Sequence, residues 1–122
     1  RRFEAHYVLG DRFATWLTTS GRPVESSYVL GDPVLLYVAK QPQSLPLNGW
    51  SPEFFTPEVW VRWERQLWQA PPSHLATEDQ LLALMRSRAP AAAAAGAALY
   101  CPVGEAEQMT WWLRKERPDG RC

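Results

Sequence analysis

Few residues in this chain of 122 have the types and spacing that catalysis or metal binding requires. The two histidines, His6 and His74, lie far apart, and neither belongs to an HxxxH pair. Zinc sites use three or four cysteine, histidine or carboxylate ligands, and Cys101 and Cys122 form no CxxC pair. A distant set such as His6, Asp11 and Cys101 would need the fold to bring it together. We therefore predict no metal site.

Nucleotide binding and covalent catalysis have equally little support in the sequence. The chain contains neither GxxxxGK[ST] nor GxGxxG, the glycine-rich loops that bind phosphates. A nucleophilic hydroxyl needs an adjacent base, and residues 18–20 and 26–27 lack a neighbouring one, so we interpret these hydroxyls as strand and turn residues. We expect no catalytic residue, no cofactor and no enzymatic activity.

The composition excludes further classes of function. Basic and acidic residues balance at 13 each. Nucleic-acid binding requires basic residues gathered on one face, whereas these are scattered near carboxylates, so we expect no nucleic-acid partner. No apolar run reaches the length of about 20 residues that a membrane-spanning helix needs. The two cysteines are too few for a secreted disulfide framework, and we interpret them as incidental thiols in a reducing intracellular compartment.

The elements that must position any site begin with a predicted sheet. YVLGD occurs at 7–11 and again at 28–32, each copy a β-favouring run followed by a Gly-Asp turn. The apolar segment 33–40, PVLLYVAK, has the composition of a buried strand. We predict three or four antiparallel strands over residues 5–40, followed by a packed, proline-rich loop over 41–55.

Two helices are predicted next, over 56–69 and 77–88. The first has Thr56 as its N-cap and Pro57 at its first helical position. The second opens on TEDQ, which matches a capping box. A proline follows shortly after the end of each segment, and the residue before a proline is disfavoured in a helix.

The predicted fold class is α+β. It consists of a small antiparallel sheet of about three to four strands, then two or three short helices and extended proline-rich segments. Residues 1–88 form one small domain in this prediction. Residues 89–122 form an alanine-rich linker and tail, with a third short helix over 105–117.

Tryptophan and proline are unusually frequent, with seven and 11 residues. Tryptophan and arginine supply much of the binding energy of protein interfaces. We predict partner binding by the aromatic, arginine and proline side chains in and near the first helix: Trp50, Trp60, Trp63, Arg65, Trp68, Pro71 and Pro72. For Trp60 and Trp63, burial between sheet and helix is an equal alternative, which makes Trp68 with Pro71 and Pro72 the better candidates for contact.

The order of features over residues 7–85, about two thirds of the chain, resembles a known family. The matching features are Gly10-Asp11, Trp16, VLLYV at 34–38, Pro57, Glu58, Trp60, Trp63, Arg65 and Pro71-Pro72-Ser73. They resemble the family formed by the small accessory subunit of mitochondrial NADH:ubiquinone oxidoreductase (complex I) and its assembly-factor paralogue mimitin.

The resemblance implies a non-catalytic protein docked on the matrix arm of complex I, as a permanent subunit or as an assembly factor. It implies a location on the matrix side of the mitochondrial inner membrane and no small-molecule substrate. The chain starts at Arg1, which fits either a removed targeting segment or a fragment. Two alternatives stay open: an accessory protein of another large mitochondrial assembly such as the mitoribosome, and a small enzyme with a cryptic site.

Overall fold

Five helices and four strands make up the computed structural model, which describes residues 2–45, 52 and 55–122, with side chains of the first helix from residue 7 onward. In chain order they are α1 (Arg2–Thr19), β1 (Ser27–Leu30), α2 (Val34–Val38), α3 (Pro57–Gln69), β2 (His74–Glu78), α4 (Asp79–Arg88), α5 (Pro90–Leu99), β3 (Tyr100–Ala106) and β4 (Met109–Arg114). This confirms the predicted α+β class.

The four strands form one sheet in the order β1-β2-β4-β3. β1 and β2 are parallel, and the other two pairings are antiparallel. The sheet is therefore mixed, where the sequence predicted an antiparallel one. The parallel pair is possible because the long connection from β1 to β2 contains α2 and α3.

Helices cover both faces of this sheet. Side chains alternate along the strands, so that Tyr28 and Leu75 join α3, α4 and α5 in one core cluster. Val29 and Ala76 face the opposite way and pack with α1 and α2. The molecule thus has three layers, with a hydrophobic core on each side of the sheet.

The predicted sheet over residues 5–40 is wrong except at Ser27–Leu30. Residues 2–19 are helical, and their buried Leu9, Phe13 and Leu17 repeat every four residues, which places them on one helix face. The first YVLGD copy lies inside α1, and a Cβ on its Gly10 would stand 2.8 Å from the Val38 Cβ. Gly10 is therefore the point where α1 and α2 approach closely.

The second YVLGD copy behaves as predicted in its first half, since Tyr28, Val29 and Leu30 lie in β1. The following segment, predicted as a buried strand, is the short helix α2. The Asp32 carboxylate accepts a hydrogen bond from the Val34 backbone N–H at 3.0 Å, and Pro33 precedes the first turn. This turn chemistry directs the apolar run into a helix.

The helix predicted over 56–69 is confirmed as α3. The Thr56 hydroxyl accepts a hydrogen bond from the Val59 backbone N–H at 3.2 Å, and Pro57 occupies the first turn. The inward face of α3 carries Trp60, Trp63 and Leu67, all buried.

The helix predicted from residue 77 begins two residues later, at Asp79. Thr77 lies in β2 opposite Thr110, and its hydroxyl accepts a hydrogen bond from the Trp112 indole N–H at 2.9 Å. No side-chain hydrogen bond caps α4. The predicted capping box is therefore wrong, because Thr77 is committed to the sheet.

The linker and tail predicted over 89–122 are also wrong, as is the helix over 105–117. Residues 90–99 form α5, and β3 and β4 form a hairpin in which β4 lies between β2 and β3. Trp111 and Trp112 point to opposite faces of the sheet, as neighbours in a strand do. This end of the chain thus belongs to the same sheet and cores as the rest.

The two cysteines are paired, which corrects their interpretation as incidental thiols. Cys101 in β3 is bonded to Cys122 across a Cα–Cα distance of 5.6 Å.

Among the residues that the structure describes, no helix combines the length and the apolar character needed to cross a bilayer.

Candidate functional site

The predicted partner-binding residues divide between core and surface. Trp60 and Trp63 are 4% and 2% exposed, and the Trp63 indole N–H donates to the Tyr28 hydroxyl at 3.1 Å. They join α3 to the sheet and present almost no surface to a partner in the folded chain. Trp50 lies outside the described residues.

The prolines at the end of α3 are also largely internal. Pro72 is buried, and its carbonyl accepts a hydrogen bond from the Tyr100 hydroxyl at 2.6 Å. Pro71 is half-buried, and its carbonyl accepts from Arg114 Nη1 at 2.7 Å. Both prolines therefore fix the chain between α3 and β2, and their predicted contact with a partner has little exposed surface to use.

What remains at the surface is the outer face of α3, formed by Val61, Arg65 and Trp68. These residues stand at i, i+4 and i+7, on one side of the helix that adjoins the buried stripe. Val61 is 53% exposed and Trp68 is 43% exposed. Sequence reasoning selected Arg65 and Trp68 but missed Val61, although its helical spacing from both was readable.

A second polar arrangement surrounds His74, at the start of β2. Its side chain is fully buried, and its ring lies 5.0 Å from that of Trp16, edge to face. Nε2 lies 2.8 Å from the Ser20 hydroxyl, and Nδ1 lies 2.8 Å from the Ser73 hydroxyl. Ser20, for which the sequence offered no neighbouring base, therefore has an imidazole beside it.

Both serine hydroxyls that contact His74 also lie beside backbone groups. The Ser73 oxygen is 2.9 Å from the Ser26 carbonyl oxygen, and it accepts hydrogen bonds from the backbone N–H groups of Glu25 and Ser26 at 3.0 and 3.2 Å. The Ser20 oxygen is 3.1 Å from the Arg22 carbonyl oxygen. A neutral imidazole donates at one nitrogen and accepts at the other, and these contacts are compatible with both neutral tautomers of His74.

A serine hydroxyl beside an imidazole is the pairing that a serine nucleophile and its general base use, but the electrostatics of His74 oppose that role. A catalytic histidine must become an imidazolium, which a carboxylate on Nδ1 normally stabilises. Here a neutral hydroxyl occupies that position. Burial lowers the pKa of His74, and Arg114 and Arg22 lower it further, while Glu25 acts weakly in the opposite sense. The arrangement suits a neutral structural link between the end of α1 and β2.

We expect the stability of the fold to fall as the pH drops below about 6.5, the ordinary pKa of histidine. The unfolded chain protonates His74 at a higher pH than the folded chain does, so it binds more protons in that window. The loss can reach about 1.4 kcal/mol per pH unit at most, for one proton. Urea unfolding between pH 8 and pH 5 measures it.

The chain supplies a matched control for this pH dependence. His74→Gln should remove the slope between pH 7 and pH 5, whereas His6→Gln should keep it. Glu25→Gln should also keep the slope between pH 7 and pH 5 and change it only near and below pH 4.5, because the Arg114 guanidinium holds the pKa of Glu25 below its usual value. An unchanged slope in His74→Gln would assign the pH dependence to another group.

Metal ligands do not cluster in the part of the chain that the structure describes. There, no three histidine, cysteine, aspartate or glutamate side chains are placed to hold an ion. The set of His6, Asp11 and Cys101 is also unsuitable as a metal site, since the Cys101 sulfur is bonded in the disulfide.

No family model matches the chain, and neither the curated proteins nor the solved structures contain a match.

Proposed function

We propose that this chain is a non-catalytic accessory protein that docks on a larger assembly through the outer face of α3. The observation that carries the proposal is the exposure of Trp68 and Val61, with Arg65 between them, on a helix whose other face fills the core. Tryptophan and arginine are the residues that most often dominate protein interfaces.

The docking face is held rigidly, which favours binding. α3 is capped by Thr56 and anchored by Trp60 and Trp63, so its outer residues lose little backbone freedom on contact. A preorganised surface binds more tightly because less ordering is required. The exposed side chains beside Arg65 include a second cation, Arg62, and one carboxylate, Glu58, so the partner surface should combine apolar groups with polar groups of complementary charge.

The environment of His74 also supports a non-catalytic role. The Ser20 hydroxyl lies beside the His74 ring, yet burial and two guanidinium groups disfavour the imidazolium that acid–base catalysis requires. A small enzyme working at Ser20 is therefore the weaker candidate.

Complex I is the assembly we propose, on the basis of the family resemblance. Within the resembling motif, Trp60 and Trp63 are structural, whereas Arg65 faces solvent and is available to a neighbouring subunit. Docking would then take place on the matrix arm, by a permanent subunit or an assembly factor. The mitoribosome is a weaker candidate, because its proteins usually carry a net positive charge that this chain lacks.

The test is native electrophoresis of mitochondria from cells that express the tagged chain behind a matrix-targeting leader. Wild-type protein should migrate with complex I, and Arg65→Ala/Trp68→Ala should not. Arg12→Ala/Tyr37→Ala is the matched control, because it also removes one exposed arginine and one exposed aromatic ring, here 76% exposed, from other helices. The control should migrate as wild type does.

Other outcomes would contradict particular parts of the proposal. Retention of the double variant in complex I would reject the α3 face, and migration of the wild type with the mitoribosome would reject the assembly. The disulfide gives a test of location, since such bonds persist mainly in oxidising compartments. Free thiols on the matrix protein, measured by alkylation and mass spectrometry, would show that the disulfide does not form there and would contradict the proposed matrix location.

A further inference from the structure

The end of the β3–β4 hairpin borders a cleft of about 530 Å³ whose lining is strongly basic. Its walls come from β3, β4, the segment after β4, and the loop after α1. The charged residues that line it are Arg22, Arg114, Lys115, Arg117, Arg121 and one carboxylate, Glu116. In a chain with balanced charge, five cations around one cleft are a marked local excess.

Few of these cations are neutralised by the protein. Arg114 donates to the Glu25 carboxylate at 2.8 Å. Arg22 and Lys115 donate to the backbone carbonyls of Arg114 and Ala97, which leaves their charge uncompensated. Arg117 and Arg121 are exposed. Within the ranges 2–45 and 55–122, the salt bridge of Arg114 is the one that joins a cation of the cleft to a carboxylate.

The walls of the cleft are fixed before any ligand arrives. Backbone N–H groups of Lys115 and Asp119 donate to carbonyls at the end of α5, each at 2.7 Å. The disulfide joins Cys122 to β3, and both of its cysteines line the cleft. Arg121 is therefore tethered at the rim by its covalently bonded neighbour.

We propose that this cleft binds a phosphorylated ligand through its arginines. Guanidinium groups present paired N–H donors that match phosphate oxygens, and they stay charged at all relevant pH values. An anion in the cleft would relieve the mutual repulsion of four uncompensated cations. The volume lies within the range of small-molecule sites and exceeds what one phosphate needs, so a diphosphate or a phosphate ester fits it better. This ligand site is independent of the α3 docking face.

The experiment is a calorimetric titration of the oxidised chain with inorganic pyrophosphate at low ionic strength. We expect saturable binding, and we expect Arg117→Ala/Arg121→Ala to bind at least about tenfold more weakly, because charged hydrogen bonds are lost. Arg12→Ala/Arg86→Ala removes the same charge from exposed positions outside the cleft and should stay within about twofold of wild type. Both variants alter exposed side chains, and their urea midpoints check that they fold.

A second arm distinguishes a soluble ligand from a lipid headgroup. Vesicles of phosphatidylcholine with and without phosphatidic acid are tested by flotation. Saturable pyrophosphate binding supports a soluble phosphorylated ligand, and binding to phosphatidic acid vesicles alone supports a phosphorylated headgroup. Absence of both, or tighter binding to a single-stranded oligonucleotide than to pyrophosphate, would overturn the proposal.

The disulfide gives a third arm. Cys101→Ser/Cys122→Ser should weaken binding by about tenfold, because Arg121 is no longer held at the rim. Undiminished affinity in both this variant and Arg117→Ala/Arg121→Ala would show that the anion binds elsewhere.

Discussion

Replacing Trp63 with alanine is expected to lower the free energy of unfolding by about 3–5 kcal/mol, the usual range for a buried aromatic residue. Trp63 is 2% exposed at the centre of the core between α3 and the sheet. Its ring centroid lies 6.3 Å from that of Tyr28 and 6.2 Å from that of Trp60. Removal leaves a cavity and also deletes the hydrogen bond to the Tyr28 hydroxyl.

Two further substitutions serve as comparisons, one at Trp63 and one on the outer face of α3. Trp63→Phe retains much of the ring volume but loses the indole N–H, so its loss of stability should be clearly smaller than that of Trp63→Ala. Trp68→Ala, on the outer face of the same helix, should change stability by less than about 1 kcal/mol. Urea unfolding curves give all three values. Equal effects of Trp63→Ala and Trp68→Ala would mean that α3 does not pack as described.

This contrast explains which parts of α3 a sequence can reveal. Thr56, Pro57 and the spacing of Trp60, Trp63 and Leu67 are local signals, and local signals determined both the bounds of the helix and its buried face. Whether a tryptophan on that face meets the core or a partner depends on what the rest of the chain places opposite it. In this protein β1 and β2 lie opposite the buried face of α3, and the sequence of the helix alone does not reveal them.

The errors at the N-terminus arose from competing local signals. Tyr7, Val8 and Leu9 favour strands, and the repeated YVLGD suggested the same structure for both copies. The spacing of Leu9, Phe13 and Leu17 was the better indicator, because a helix face can bury all three together. Short apolar runs do not settle the choice without such periodicity.

The errors near β2 and β4 have a different cause, since those strands depend on distant partners. Ser27 pairs with His74, and His74 with Leu113, so nothing near Thr77 reveals that it lies in a sheet. The contact of Ser20 with His74 and that of Arg22 with Arg114 span 54 and 92 residues. A local search for bases or for basic clusters therefore misses both.

Removing the disulfide is the second change with a large expected effect. Cys101→Ser/Cys122→Ser should lower the free energy of unfolding by about 3 kcal/mol, because the cross-link closes a loop with a sequence separation of 21. Urea unfolding of the wild type with and without a reductant should reproduce this difference. The serine variant should not respond to the reductant.

Hydrogen exchange at individual backbone amides shows which part of the chain loses stability when the disulfide is removed. Without the disulfide, the segment after β4 is held by backbone hydrogen bonds such as those from Lys115 and Asp119, and segments with few such bonds open locally. Hydrogen exchange at Asp119 and Gly120 should accelerate more in the serine variant than exchange in β2, which lies inside the sheet. Uniform acceleration along the chain would place the effect in global stability alone. Selective acceleration would show that the cross-link holds the basic wall of the cleft in place, which is the condition for Arg121 to act on an anion there.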